Sequence, residues 1–374
     1  MRIGIDAHAV NGKPQGSRTY LLALIEALAR LSEDDEIVVY SFRPEETRNL
    51  LEAKRLEHRR VFPDSARLRL PVVVPALALR DRLSLLHSQY ISPPFSPVRD
   101  VVTIHDILFE TDPHLFEGAF SARSVSLIRR SARRAAMVLT VSEFSRRALL
   151  ERYELPPEKV IVTPNGVDRA RFRPMESEPA GIRKRYRLDG PFLLAVGRIE
   201  PRKNLPRLIR AFSRARQKLS RGIQLAIAGP EDFRSGEVFQ EAERQTEGSI
   251  RFLGAVPDAD LPALYNLAEA LVYPSLAEGF GIPVLEAMAC GTPVLASPRG
   301  ALPEVGGDAV LWVDPEDEEA IAGGIETIVT DSSLRDRLRK AGPERAERFQ
   351  WKQTARLTLE AYRRAAFDTP RKGC

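Results

Sequence analysis

The chain has 374 residues, of which 43% are apolar and 29% charged, which predicts two packed globular domains and excludes a disordered chain. Lysine and arginine number 56 against 51 acids, a modest net charge of +5, and the basic residues match none of the common nucleic-acid-binding modules. Only two cysteines occur, Cys290 and Cys374, which excludes a disulfide framework and a cysteine zinc site and fits a reducing compartment. The opening MRIGID lacks the basic-then-apolar pattern of a secretion signal. No run reaches the roughly 18 apolar residues needed to span a bilayer. The most apolar patch, Leu70 to Leu79, is interrupted by Pro71 and Pro75 and stops at Arg80.

In chain order, Met1 to Asp6 reads as a strand and Thr19 to Leu31 as a helix, with apolar residues at 21, 22, 25 and 28. Glu36 to Phe42 is a strand, followed by strands near 84–88, 101–104, 137–141 and 159–163. The segment from Arg169 to Gly190 is charged, carries Pro174 and Pro179, and reads as a linker with one short helix. The alternation then restarts. Pro191 to Val196 is a strand, Leu205 to Leu219 a helix and Ile223 to Ala228 a strand. Ser249 to Leu253 is a strand, Asp260 to Ala268 a helix and Ala270 to Tyr273 a strand. Ile282 to Cys290 is a helix, and Pro293 to Ser297 and Ala309 to Val313 are strands. Trp351 to Ala366 reads as a helix returning to the first domain, and the tail TPRKGC is expected to fray. This alternation is the signature of parallel sheets covered by helices, which bind ligands in the crevice at their strand C-termini.

Four segments carry chemistry. The longest is LVYPSLAEGFGIPVLEAMACGTPVLAS, from Leu271 to Ser297, which parses as strand, glycine loop, helix, turn and strand. Glu278 stands before Gly279, Phe280 and Gly281, and Pro283 suits the first helical turn. Glu286 falls on that helix. Such a loop offers backbone N–H groups and a positive helix end, and an ionised glutamate beside them can accept two hydroxyl hydrogen bonds. In AVGRIEPRKN, Gly197, Arg198 and Lys203 lie around a turn where two cations can converge on one diphosphate. The first strand–helix turn, Asn11 to Ser17, carries Gly12 and Gly16. VVTIHDILF places His105 and Asp106 at a strand end. Separately, eight arginines between Arg123 and Arg152 face only Glu143 and Glu151. That stretch is either a solvated helical face or a surface for anionic headgroups or a phosphate-bearing acceptor.

Together these segments resemble glycosyltransferase family 4 (glycosyl transferases group 1), retaining enzymes with the GT-B fold. The resemblance covers essentially the whole chain and is most specific in the E-x7-E motif, Glu278 and Glu286 around GFGIPVL. The R-x4-K pair falls on Arg198 and Lys203, and the strand-end histidine on His105. SEFS (Ser142 to Ser145) and PNGVD (Pro164 to Asp168) are also similar to this family. Where the family often has a GG-x-G loop this chain has PQGSRTY, so only Gly16 carries over.

The resemblance implies an α/β fold of two doubly wound Rossmann-like domains facing across a cleft. Residues 1–172, with the returning helix 351–374, would form the acceptor side and 173–350 the nucleotide-sugar domain. It implies transfer of a sugar, with mannose or rhamnose suggested, from a nucleotide diphosphate sugar to a saccharide or lipid-linked acceptor. Arg198 and Lys203, both exposed in the cleft beside Gly197, would hold the pyrophosphate and Glu286 the ribose, with both glutamates of the motif ionised at neutral pH. Glu278 with Gly279, Phe280 and Gly281 would hold the transferred sugar. His105 would lie near the anomeric centre, Gly16 near the phosphates and Val256 near the base. No metal or other cofactor is expected, since the protein's own cations and a helix end can stabilise the leaving group. A cytoplasmic enzyme is implied, touching an anionic membrane through 123–152. The alternatives are a GT-B epimerase or phosphorylase, a non-catalytic sugar- or lipid-binding relative, and a nicotinamide dehydrogenase. The last should show G-x-G-x-x-G after the first strand, which NGKPQGS does not.

Overall fold

The computed structural model describes residues 1–367 except 13–15, 33, 54, 117–120, 178–180, 220–221 and 246–247. The expected fraying of the tail and the first part of PQGSRTY fall outside the described residues. The chain divides into two compact units. One comprises 1–107, 120–166 and the C-terminal segment from Trp351, the other 108–119 and 167–350. Among the described residues no helix is long and apolar enough to cross a membrane.

The first unit holds β1 (Arg2–Asp6), β2 (Glu36–Ser41), β3 (Leu56–Arg60), β4 (Leu85–Gln89), β5 (Arg99–Thr103), β6 (Met137–Thr140) and β7 (Val160–Val162). They pair in parallel in the order β3-β2-β1-β4-β5-β6-β7. Successive residues face opposite sides of a strand, so both faces must be apolar in a covered sheet. Ile37 and Val39 pack with Ile3, Ile5 and Leu85 against Tyr20, Leu24 and Leu28 of the helix Gly16–Leu31 and Leu359 and Tyr362 of the helix Trp351–Phe367. Val38 and Tyr40 pack on the other face with Leu86, Val74 and Ala78. The returning C-terminal helix thus supplies part of the first unit's core.

The second unit holds β8 (Phe192–Val196), β9 (Gln224–Ala228), β10 (Ile250–Gly254), β11 (Ala270–Tyr273), β12 (Val294–Ala296) and β13 (Leu311–Trp312), parallel in the order β10-β9-β8-β11-β12-β13. Leu193, Leu225, Ile227, Val272 and Leu295 bury one face under Leu208, Ile209 and Phe212 of the helix Leu205–Lys218 and Ile321, Ile325 and Ile328 of the helix Glu318–Thr330. In each sheet the strand order reverses next to the first strand, between β1 and β4 and between β8 and β11. Such switch points leave a crevice at the strand C-termini.

Three elements differ from the sequence reading. β3 was not expected, because LEHRR is charged; it is an edge strand, where charged side chains meet water on one side. The apolar patch around Pro71 and Pro75 is helical despite both prolines. A π-turn, Arg69–Val73, contains Pro71, and Pro75 sits in the first turn of the helix Val74–Arg80, where no backbone donor is needed. The strand expected over 309–313 shrinks to Leu311–Trp312, because a 3₁₀ turn takes up 307–309.

β8 and β9 end in two glycines whose backbones touch. A Cβ on Gly229 would lie 1.9 Å from the Gly197 carbonyl oxygen. Gly229→Ala should therefore cost about 1–3 kcal/mol, read as a lower urea midpoint. Gly236→Ala, with nothing within 4 Å of the new methyl, should leave the midpoint unchanged or slightly raised.

Candidate active site

The switch point of the second unit is built from the ends of β8 and β11. After β8 the chain passes Gly197 (φ 138°) and enters a 3₁₀ turn, Pro201–Lys203. A Cβ on Gly197 would lie 2.8 Å from Cε of Lys203, so glycine lets the lysine lie back across the strand end. Asn204 is buried in a left-handed conformation (φ 58°), and its Nδ2 donates to the carbonyls of Pro274 (3.1 Å) and Pro315 (2.7 Å). That pins the turn against the chain leaving β11.

Glu278 lies in that loop and is only 5% exposed. Its Oε1 accepts from Lys203 Nζ (2.7 Å) and from the Tyr273 hydroxyl (2.9 Å). Its Oε2 pairs with Nη1 of Arg202 at 2.5 Å. Lys203 also donates to the Tyr273 hydroxyl and stands 4.5 Å from the centre of that ring. Gly300 passes directly behind: a Cβ there would lie 2.2 Å from the Glu278 carbonyl oxygen, and φ is +62°. Burial pushes the Glu278 carboxyl up, but Arg202, Lys203 and the Tyr273 hydroxyl hold it at about 2. Burial and the neighbouring Arg202 lower the Lys203 ammonium, opposed by Glu278 and Glu200. Tyr273 is raised well above its usual value by burial and by Glu278.

The loop continues through Gly279 and Phe280 to Gly281 (φ 101°), which precedes the helix Ile282–Ala289. Glu286 is on this helix, 9% exposed, and its Oε2 accepts from the Tyr265 hydroxyl at 3.0 Å. Burial raises its carboxyl to about 7, against the pull of the Tyr265 hydrogen bond and of Arg171. Arg198 is 32% exposed and pairs with Asp232 at 2.8 Å. Val256 follows β10, the outer strand of the sheet, and is half-buried.

Two expectations change here. Lys203 was expected to be solvent-exposed like Arg198; it is 8% exposed, because the 3₁₀ turn aims it inward at Glu278. Both glutamates were expected to be ionised at neutral pH. Glu278 is, but Glu286 has one phenol where Glu278 has two cations and a phenol, and burial is not offset. Sequence reading also missed Arg202 and Tyr273. The signal was present in EPRKN, since neighbouring residues of a 3₁₀ turn point in different directions and two adjacent cations can grip two oxygens of one carboxylate.

In the first unit, His105 follows β5, and its Nε2 lies 3.2 Å from Gln89 Oε1 at the end of β4. Tyr20 meets the imidazole edge-on at 4.7 Å, and Tyr90 lies at 5.7 Å. Burial pushes His105 down to about 4, so it is neutral at pH 7. Gly16 opens the helix Gly16–Leu31 and is exposed. At the end of β1, Asp6 is buried, pairs with Arg69 from the π-turn and lies 3.2 Å from His8 Nδ1. Burial pushes Asp6 up, yet His8 and Arg69 hold it far below the usual carboxylate range. Neither Asp6 nor Arg69 was singled out from sequence.

In the arginine-rich stretch, at least six of the eight side chains, Arg129, Arg133, Arg134, Arg146, Arg147 and Arg152, have partners within the protein. Arg133 donates to Tyr153 O (3.1 Å), Arg134 to Pro93 O (3.0 Å) and Arg146 to Val160 O (3.1 Å), while Arg129 lies 5.3 Å from the Tyr153 ring. Arg123 and Arg130 are exposed.

Removing one partner of a buried ion pair costs about 3–5 kcal/mol, and Arg202 compensates in part. Lys203→Met should therefore lower stability by about 3 kcal/mol, whereas Arg198→Ala, at a side chain about a third exposed, should cost under about 1. Urea titration of both variants reads the contrast. The two glutamates also give opposite pH dependences. Glu278 is depressed from 4.5 to about 2, so its contribution is full above 4.5 and is lost as pH falls through 2. Glu286 is raised from 4.5 to about 7, so its contribution is full below 4.5 and is lost as pH rises through 7. The stability difference between Glu286→Gln and wild type should therefore grow in the variant's favour from pH 4.5 to 7, by up to roughly 3 kcal/mol. A flat difference across that range would contradict the raised carboxyl.

Comparison with known proteins identifies the family and the fold. Residues 14–171 match the family model described as Glycosyltransferase Family 4, and residues 182–345 the model described as Glycosyl transferases group 1. The chain is 32% identical over 366 residues to the O-antigen chain mannosyltransferase B of Escherichia coli, covering 93% of this chain and 96% of that one. It is 34% identical over 239 residues to the D-inositol 3-phosphate glycosyltransferase of Salinispora tropica, covering 59% and 49% of the two chains. Among solved structures, sucrose-phosphate synthase from Thermosynechococcus elongatus superposes with a TM-score of 0.79 at 23% identity, over 97% of this chain and 98% of that one. Anabaena Alr3699/HepE, solved in complex with UDP and glucose, superposes with a TM-score of 0.77 at 20% identity, over 97% and 99%. The two parallel α/β sheets are those of the GT-B fold, and the chain belongs to the family 4, group 1 glycosyltransferases.

Proposed function

We propose that this glycosyltransferase moves a hexosyl group, with mannose as first choice, from a nucleotide diphosphate sugar to a saccharide acceptor, with retention and without a metal ion. The observation that carries the reading is the buried cluster of Lys203, Tyr273 and Glu278 beside Gly197 at the end of β8. A cation held under a strand end is suited to a diphosphate, and an ionised glutamate beside a glycine loop is suited to sugar hydroxyls. The choice of mannose is supported by the Escherichia coli relative, and a nucleotide diphosphate donor by the UDP bound to the Anabaena protein.

In this reading Arg198 and Lys203 take the pyrophosphate, Glu286 the ribose hydroxyls and Glu278 the hydroxyls of the transferred sugar. Gly279 to Gly281 lend backbone donors, Gly16 lets the first loop approach the phosphates, and the chain near Val256 meets the base. His105 positions the acceptor as a neutral imidazole. The anomeric carbon–oxygen bond to the diphosphate breaks as the acceptor oxygen bonds to the same face. The acceptor proton passes to the departing phosphate oxygen, so no protein base and no covalent intermediate is required. The cations stabilise the charge that develops on the leaving group, the term most often largest in such catalysis. The acceptor is a saccharide or a lipid-linked saccharide, and the enzyme works at the inner face of the membrane. Contact with anionic lipid through 123–152 would rest on Arg123 and Arg130 rather than on all eight arginines.

A panel of nucleoside diphosphates and nucleotide sugars, read by thermal shift, tests the reading. A ligand at 100 times its Kd should add about 2.7 kcal/mol. Sugar transfer from the selected donor should persist in excess EDTA and give the same anomer as the donor. Because donor hydroxyls favour an ionised acceptor, nucleoside diphosphate affinity should rise from pH 6 to 8 in wild type and stay level in Glu286→Gln. Activity abolished by EDTA and restored by magnesium would remove the metal-free reading. An inverted anomer would remove the retaining one.

A further inference from the structure

We infer that Arg202 is a positioning residue of the donor site, which keeps Glu278 fixed as a carboxylate while Lys203 turns its charge to the donor diphosphate. The inference rests on the reading above, in which Lys203 meets the diphosphate and Glu278 the transferred sugar.

A lysine ammonium has three donors. In the free protein two of them serve Glu278 and Tyr273. A diphosphate can take the third, but its negative charge draws the ammonium towards it and away from Glu278. If Lys203 were the only cation on Glu278, each gain of the phosphate would be a loss for the carboxylate. A buried carboxylate left with one phenol takes up a proton or moves, and in either case loses its value as an acceptor for sugar hydroxyls.

Arg202 removes that conflict. It grips the other oxygen, Oε2, so it does not share its atom of Glu278 with Lys203. It is also held in place. Its Nη1 donates to Ala277 O at 3.1 Å, its Nη2 to Glu200 Oε1 at 2.6 Å, and its own carbonyl accepts from Leu276 N at 2.9 Å. These contacts strap the 276–278 loop to the 3₁₀ turn. A guanidinium so tied cannot follow Lys203 to the phosphate, and it does not lose its proton. The charged and titratable groups facing Glu278 are then Arg202 and Lys203 from the turn and Tyr273 from the end of β11, with Glu200 behind Arg202. Two adjacent cations in one turn thereby divide the work, one mobile and one fixed.

Arg202→Gln keeps a donor at the strap and removes the charge, and Arg202→Lys keeps the charge and removes the fork. In Arg202→Gln, turnover with the nucleotide sugar should fall about 10- to 100-fold, as for other residues that orient a ligand-binding group. Affinity for guanosine or uridine diphosphate, whichever the wild type binds, should change by less than about threefold. The acid limb of kcat/KM should move to higher pH, because Glu278 then protonates more readily. Arg202→Lys should restore the acid limb and most of kcat. Wild-type turnover and acid limb in Arg202→Gln would overturn the assignment. So would equal losses of turnover and diphosphate affinity, which would make Arg202 a direct phosphate contact. Should Arg202→Gln fail to fold by circular dichroism, Arg202→Lys decides: a displaced acid limb in that variant overturns the proposal. No binding of either nucleoside diphosphate by the wild type would instead sink the donor-site reading itself.

Discussion

A carboxylate cannot be buried alone. The cost of stripping water from an ionised glutamate is several kcal/mol, and it must be met by fixed partners within the protein. At the end of β11 that requirement organises the second unit. Glu278 needs Lys203 and Arg202, which requires the 3₁₀ turn after β8. The turn needs room, which Gly197 and Gly229 provide by having no side chains where two strand ends meet. The loop that carries Glu278 needs Gly300 behind it, because any larger residue would strike its backbone. Asn204 then ties the turn to the chain beyond β11 through the Pro274 carbonyl and to the chain beyond β13 through the Pro315 carbonyl. One buried charge thus explains several residues that share no chemistry with one another.

The first unit solves a related problem with different groups. Asp6 at the end of β1 is paired with Arg69, which comes from the π-turn within the apolar 66–80 segment. His105 takes the other course open to a buried titratable group, and remains neutral. An imidazole without charge can orient a hydroxyl without attracting a phosphate, which suits the acceptor-side role proposed for it. His87 nearby is likewise held neutral by burial, at about 3, between the Tyr362 hydroxyl and Thr103. Tyr362 comes from the C-terminal helix, so the last helix of the chain contributes to the polar network under β4 and β5.

The contrast between Glu278 and Glu286 shows how little sequence spacing says about charge. Both lie in one short string, eight residues apart, and both are nearly out of contact with solvent. One has two cations and a phenol; the other has a phenol and a more remote arginine. Their carboxyls accordingly differ by about five pH units, at about 2 and about 7. The arginine-rich stretch makes the same point for the surface. Most of those side chains have partners within the protein, four of them carbonyls or a ring of their own unit, so their number in the sequence overstates the free charge they present.

Period and punctuation in the sequence determined the alternation of strands and helices, the restart after Asp168 and the placing of Glu278, Arg198 and His105 at strand ends. These features are local: side-chain periodicity, glycine and proline express themselves within a few residues of where they stand. The charged edge strand β3 and the helix through Pro71 and Pro75 escaped that logic, because an edge position and a π-turn are set by neighbours rather than by propensity. Lys203 and Arg202 are legible as cations in EPRKN, but nothing in that string says that both turn inward. That was decided by Glu278, about 75 residues further on, and only the parallel pairing of β8 with β11 brings the two segments together. Charge state is likewise tertiary, since it depends on the sum of burial and partners at each carboxylate. The sequence named the acids and bases; packing chose which of them are ionised.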